Sequence, residues 1–207
     1  MKVLSADYIV NSCGIIILAA GASTRLGKPK QLLRYRGKTL LAYSINEAVN
    51  SNADAVVVIL GKDANLFKNE IDESKARVAI NSSWEEGMAS SLRLGMDTLL
   101  NDKPYIDAVI FMVCDQPYIS SSILNELIIT QQKTTKQIVT SNYGDSIGPP
   151  ALFHKKYFIE LMKLSGDAGA RKIIQQNMND VATILFPEGK IDIDTKEDYD
   201  DLTGLSG

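Results

Sequence analysis

Short runs of β-branched and aliphatic residues alternate along the chain with stretches in which apolar side chains recur every three or four positions. Ile15 to Leu18, Ala55 to Leu60 and Ala108 to Val113 are apolar throughout, as expected for strands covered on both faces. Arg77 to Ile80, Gln137 to Ser141 and Val181 to Leu185 complete the predicted strands. Between them, Thr39 to Asn50 places Leu40, Leu41, Ser44, Ile45, Ala48 and Val49 on one helical stripe. Ser120 to Gln132 does the same with Ile123, Leu124, Leu127 and Ile128, behind serines able to cap it. This alternation predicts an α/β fold on a mostly parallel sheet, with a small β excursion inside Tyr143 to Ser165. No repeat or linker composition divides the 207 residues, so a single domain is expected over 1–207, with 1–13 as a short extension before the first core strand.

Composition narrows the chemistry without choosing it. A hydrophobic content of 45% is that of an ordinary globular chain, and a net charge of −3 with no basic run argues against a nucleic-acid surface. No apolar stretch approaches the ~20 residues of a membrane span, and the N-terminus lacks the order of a signal peptide. A cytoplasmic chain without membrane contact is the expectation. Cys13 and Cys114 have no metal-ligand spacing, and Cys114 is expected to be a small buried hydrophobe. The single histidine, His154, has no second ligand at metal spacing and is expected as an exposed turn residue.

In open parallel sheets ligands bind at the carboxyl ends of the strands, and the polar motifs follow predicted strands. After Ile15–Leu18 come Ala19, Ala20, Gly21 and Ala22, small enough for backbone N–H groups to approach a phosphate, then Arg25, Lys28, Pro29 and Lys30. Arg25 offers a planar fork and Lys30 a compact charge, a pair suited to a polyphosphate. Five residues separate Gly21 from Gly27, and Pro29 follows Lys28, which excludes a Walker A loop. Ser23 stands where the dinucleotide fingerprint needs its second glycine. A solvated connection remains the plain alternative.

Three further clusters follow. Asp115 in Val113-Cys-Asp-Gln-Pro-Tyr118 ends a buried strand, where a carboxylate must meet solvent or a cation, unless it caps the helix beginning near Ser120. In Ile191-Asp-Ile-Asp-Thr195, alternation puts Asp192 and Asp194 on one face before a helix starting at Thr195, and either could bind a metal. Asn81-Ser-Ser-Trp-Glu-Glu-Gly-Met-Ala-Ser-Ser91 supplies a turn at Gly87 and the hydroxyls of Ser90 and Ser91 at a helix start. Trp84 there is as suited to burial as to stacking.

The run Leu-Ala-Ala-Gly-x-Ser-x-Arg-x-Gly-x-Pro-Lys-x-Leu-Leu from Leu18 to Leu33 resembles the signature loop of the molybdenum cofactor nucleotidyltransferases, and more narrowly their cytidylyltransferase branch. The resemblance implies a doubly wound, Rossmann-like nucleotidyltransferase fold. It implies nucleotide contacts from Leu18, Ala19, Ala20, Gly21, Arg25, Lys30, Gly87, Met88, Ser90 and Ser91, with Ala20 favouring CTP over GTP. Catalytic roles fall to Arg25, Lys30 and Asp115, and the metal, magnesium or manganese, to Asp115 and Asp194. On the acceptor side it implies Gln116, Pro117, Gly148, Asp167, Gly169 and Arg171, the last three from a Gly-Asp-x-Gly-Ala-Arg run. Here Lys196 replaces a usual proline and Gly148-Pro149-Pro150 differs from the family's Gly-His-Pro. The implied reaction moves CMP from CTP to molybdopterin, with the recipient molybdoenzyme as a partner. GTP as donor, a sugar phosphate as acceptor, or a non-catalytic maturation factor are the alternatives.

Overall fold

The computed structural model describes residues 9–21, 26, 28–61 and 63–204. Arg25 therefore lies outside the described residues.

The chain runs β1 (Cys13–Ala19), a short hairpin of β2 (Arg34–Tyr35) and β3 (Lys38–Thr39), then α1 (Leu40–Val49) and β4 (Ala55–Leu60). It continues through β5 (Arg77–Ile80), α2 (Met88–Asp102), β6 (Ala108–Val113), α3 (Ser121–Thr134), β7 (Ile138–Asn142) and β8 (Ile147–His154). The last elements are α4 (Phe158–Met162), α5 (Arg171–Gln176), β9 (Val181–Leu185) and α6 (Lys196–Thr203). Seven strands form one sheet in the order β5-β4-β1-β6-β8-β7-β9. Every neighbouring pair is parallel except the two made by β8, which is antiparallel to both β6 and β7.

The period of two in the strands divides the core. Ile15 and Ile17 of β1 face a layer that includes Leu40, Leu41, Leu124 and Leu127 of α1 and α3. Ile16 faces the opposite layer, with Leu92, Met96 and Leu99 of α2 and Ile173 and Ile174 of α5. A sheet covered on both faces is the doubly wound architecture expected from the uninterrupted apolar strands. The serine cap predicted for α3 is present, and Thr39 caps α1 in the same way. The Thr39 hydroxyl accepts from Ala42 N, and the Ser120 hydroxyl accepts from Ile123 N, stopping each helix at its N-terminus.

The β excursion expected inside Tyr143 to Ser165 is β8, an eight-residue strand that joins the main sheet between β6 and β7. Pro149 and Pro150 disguise it, because prolines cannot donate to a ladder. They occupy the register shift opposite Thr140/Ser141, where pairing passes from Gly148 to Ala151, so no sheet bond is lost. His154 is not an exposed turn residue. It ends β8 at 3% exposure, its Nδ1 accepting from Lys156 N. Burial lowers its pKa, with the Lys155 charge adding and Asp107 opposing. Cys114 is buried as expected, and burial pushes its thiol up to about 12. Among the described residues no helix is long and apolar enough to cross a membrane.

Candidate active site

The carboxyl ends of β1 and β6 and the start of α2 enclose a cleft of about 410 Å³. Its lining includes Leu18 to Gly21 from the end of β1, Lys30, Gly87, Met88 and Ser91, and Asp115 and Asp167. These predicted residues, far apart in sequence, thus share one concavity.

The floor of the small-residue loop is held from below. Gln31, 3% exposed, donates from Nε2 to Ala19 O at 2.9 Å and to Gly21 O at 3.3 Å. Gln31 carried no predicted role, although the Pro-Lys-Gln-Leu-Leu run that contains it stood out in the sequence. Lys30 opens a 3-10 turn over Lys30–Leu32, with Pro29 before it. Lys28 turns aside, its ammonium 5.5 Å from the ring centroid of Tyr199 on α6.

Lys30 Nζ donates to Asp115 Oδ2 and, at 3.0 Å, to Asp194 Oδ1. Burial alone would lower the Lys30 pKa, but Asp115 and Asp194 outweigh it and hold the ammonium above the ordinary lysine range. Among the described residues, Asp115 Oδ1 is buried with no hydrogen-bond partner. Asp194 is brought in by its neighbours: Ile193 is fully buried and donates its N–H to Asp115 O at 3.1 Å. The following residues form a capping box, in which Asp198 N donates to Thr195 Oγ1 and Thr195 N to Asp198 Oδ2. Asp192 shares the outward face with Asp194, as alternation predicts. Lost hydration and the charge of Asp115 raise its carboxyl to about 6, while Lys30 pulls the other way.

Asn81, at the end of β5, organises the opposite wall. Its Nδ2 donates to Ser90 Oγ at 2.8 Å and Ser91 Oγ at 2.9 Å, and its Oδ1 accepts from Ser83 N. Ser90 Oγ in turn donates to Gly87 O at 2.8 Å. Ser90 is therefore committed to the loop's own structure, and Ser91 is the serine that lines the cleft. Trp84 is half-buried and also lines it.

The predicted acceptor residues divide. Asp167 lines the cleft, and its segment docks on α2 through Ala89 N donating to Gly166 O at 3.0 Å. Arg93 Nη1 also donates to Leu164 O. Gly169 lies against Met88, whose sulfur would be 3.1 Å from an added Cβ. Arg171 opens α5 and is exposed. Gln116, 1% exposed, is not on the cleft floor: its Nε2 points inward to Gly189 O at 2.5 Å, Tyr143 Oη at 3.0 Å and Pro149 O at 3.1 Å. Pro117 is buried beside it, and Gly148 backs onto the Tyr143 ring. These three support the site from behind, and Tyr143 belongs with them, its hydroxyl donating to Pro149 O.

Two carboxylates with hard oxygen atoms, one of them an orphaned buried oxygen, suit magnesium or manganese.

The MobA-like NTP transferase domain matches residues 15–181. Rv0371c from Mycobacterium tuberculosis H37Rv superposes with a TM-score of 0.81 at 29% identity, covering 93% of this chain and 97% of that one. The same protein in complex with manganese gives a TM-score of 0.77 at 26% identity over 93% of this chain and 98% of that one. Nicotine blue oxidoreductase of Paenarthrobacter nicotinovorans is 29% identical over 171 residues, 78% of this chain and 80% of the relative. Purine catabolism protein PucB of Bacillus subtilis is 26% identical over 195 residues, 89% of this chain and 93% of the relative.

Proposed function

Because the chain belongs to the MobA-like NTP transferase domain family, we propose that it transfers CMP from CTP to the phosphate of molybdopterin, releasing pyrophosphate. The observation that carries the nucleotidyl-transfer part is the convergence of Lys30, Asp115 and Asp194 at the mouth of the small-residue loop. The narrower choices of CTP and molybdopterin rest on the sequence resemblance, with Ala20 at the cleft wall as the base-selecting position.

A phosphomonoester carries most of its second negative charge at neutral pH, its second pKa being near ~6, so no catalytic base is needed. Its oxygen attacks the α-phosphorus of CTP, and the bond to the β-phosphate breaks, the electron pair leaving with pyrophosphate. Ala20 and Gly21 line the cleft, where their backbone N–H groups would meet the phosphates, while Arg25 and Lys30 would hold the β- and γ-phosphates and offset charge on the leaving group. Asp115 and Asp194 would hold a magnesium or manganese ion, which when bound supplies Lewis-acid neutralisation of the phosphates. Met88, Trp84 and Asp167 shape the walls around the two substrates.

A second reading draws on the relative called nicotine blue oxidoreductase. Against it, the loop departs from the dinucleotide fingerprint at Ser23. A third keeps the transfer and changes the acceptor, as in 2-C-methyl-D-erythritol 4-phosphate cytidylyltransferase of Thermotoga neapolitana, 28% identical over 64% of this chain and 60% of that relative.

The test is pyrophosphate release from CTP, GTP and ATP in turn, with magnesium and freshly prepared molybdopterin, and Asp115→Asn as the blank. Release with CTP alone, lost in the blank, is the expected result. Release only with GTP would overturn the base assignment. Silence with all three nucleotides would overturn the molybdopterin reading and move the assay to a phosphate-ester panel and to reduced nicotinamide oxidation.

A further inference from the structure

The Lys30 ammonium occupies the same two carboxylates that the proposed metal would need. It contacts Asp115 Oδ2 and Asp194 Oδ1, one oxygen of each. The Lys30 and Asp115 side chains are each 16% exposed and Asp194 48%, so water screens this cluster incompletely. Asp192 adds a third acidic side chain nearby, and its charge is coupled to Asp115, Lys30 and Asp194. With no cation between them these carboxylates would repel one another at close range.

An ammonium and a divalent ion cannot both lie between the same oxygens, because their own repulsion acts across the same short distance. The two differ in tether. Pro29 and the 3-10 turn fix the Lys30 backbone, while its four-carbon stem can swing the charge. The small-residue loop of Ala19 to Gly21 lines the same cleft, so a polyphosphate bound there would offer Lys30 a second anion within it.

We infer that Lys30 is a placeholder cation, competing with the divalent metal for Asp115 and Asp194 and surrendering them when a polyphosphate binds. This rests on reading those two carboxylates as the metal pair. Metal alone then binds weakly, and metal with polyphosphate binds tightly, so that a lone ion does not occupy the site ahead of the nucleotide. Lys30 thereby has two successive duties: neutralising the carboxylates in the empty chain, then neutralising phosphate in the loaded one.

Manganese binding to the full chain, followed by electron paramagnetic resonance or calorimetry without any nucleotide, tests this directly. Lys30→Met keeps most of the stem and removes the charge. It is expected to bind manganese about tenfold more tightly than the parent, a change of about 1.4 kcal/mol. Lys30→Gln, which retains a polar head, should shift affinity in the same direction. Inorganic triphosphate should tighten manganese binding to the parent by a larger factor than to Lys30→Met, after correction for manganese held by triphosphate in solution. Unchanged or weaker binding in both variants, with Asp115→Asn losing manganese, would overturn the placeholder role and leave the metal pair standing. Equal affinity in Asp115→Asn and the parent would instead overturn the metal pair, and the placeholder role with it.

Discussion

Replacing Gly87 by alanine probes the hinge between the two walls of the cleft. Gly87 has φ 98° and ψ 178°, a region open essentially to glycine alone, and a side chain there costs about 1–3 kcal/mol of backbone strain. The added Cβ would also stand 2.5 Å from the Gly166 carbonyl carbon, and 2.6 Å from Gly166 O and Asp167 Oδ1. Backbone cannot rotate out of the way, so the 166–167 turn must move off α2. That movement breaks the bond from Ala89 N to Gly166 O, worth about 1 kcal/mol net. Gly144 provides the control, because its φ of 108° is equally unusual for a side chain but nothing among the described residues lies within 4 Å of an added Cβ. Gly144→Ala should show strain alone, and Gly87→Ala should be less stable than it by about 1–2 kcal/mol, the hydrogen bond plus residual overlap. Urea unfolding of the three proteins, compared at matched slope, measures the difference. Steady-state kinetics supply the second readout: KM for nucleotide and acceptor should both rise in Gly87→Ala and in neither case for Gly144→Ala. Coincident urea midpoints for the two variants, with unchanged KM values, would refute the idea that the Gly87 end of α2 and the 166–167 turn are mechanically joined.

His154 predicts a pH effect on stability away from the active site. Its pKa is lowered in the folded chain, whereas in the unfolded chain it is near ~6.5. The unfolded chain therefore takes the proton first, so this contribution is complete above about 6.5 and is lost as pH falls toward the folded pKa. Urea midpoints at pH 7.5 and 5.5 should show a drop in the parent that is smaller in His154→Gln, and parallel drops would contradict the burial argument. Gln116→Leu keeps the bulk but leaves the Gly189 carbonyl without its side-chain donor, so a loss of about 1–3 kcal/mol is expected together with weaker manganese binding. Tyr143→Phe should cost less, about 0.5–1.5 kcal/mol, because Pro149 O still accepts from Gln116. Equal losses in the two variants would mean that Gln116 does not hold the 187–190 turn.

Legibility in the sequence followed the range of the interaction. β4, β5, β6 and β9 lie at the predicted boundaries because each is a short run dominated by β-branched and aliphatic residues whose own composition specifies it. Ser120 and Thr195 cap the helices they were expected to begin, and Thr39 caps the helix whose predicted span it opens, since a cap is settled within four residues. β8 was legible only as a small β excursion, without its place in the main sheet, because Pro149 and Pro150 contradict a strand unless a partner strand bulges opposite them, which depends on β7. His154 looked exposed among lysines, yet Lys155 and Lys156 turn outward to Asp107 and Asp180 while the imidazole enters the sheet end. At the site, the fold brings Lys30, Asp115 and Asp194 together, and the charges of the three were legible in the sequence. The supporting roles of Gln31, Asn81 and Gln116 were not, because each is defined by backbone carbonyls or hydroxyls that only the folded chain brings near.

The three charged residues come from distant parts of the chain, Lys30 and Asp194 being 164 positions apart, and the ion pair to Asp194 is too weak to have brought the tail to the site. Asp194 is nearly half exposed, and pairs of that kind contribute at most about 1 kcal/mol. What fixes the tail is apolar and backbone-directed: Ile193 is fully buried, its N–H donates to Asp115 O, and Gln116 grips the turn at Gly189 two elements away from the cleft. Burying one isoleucine side chain alone is worth about 1.5–3 kcal/mol, more than the exposed ion pair. The carboxylates are therefore held in place by groups that do not change when the cation does. An ammonium can be exchanged for another cation at Asp115 and Asp194 without loosening the fold, and this is the condition that a competing lysine requires.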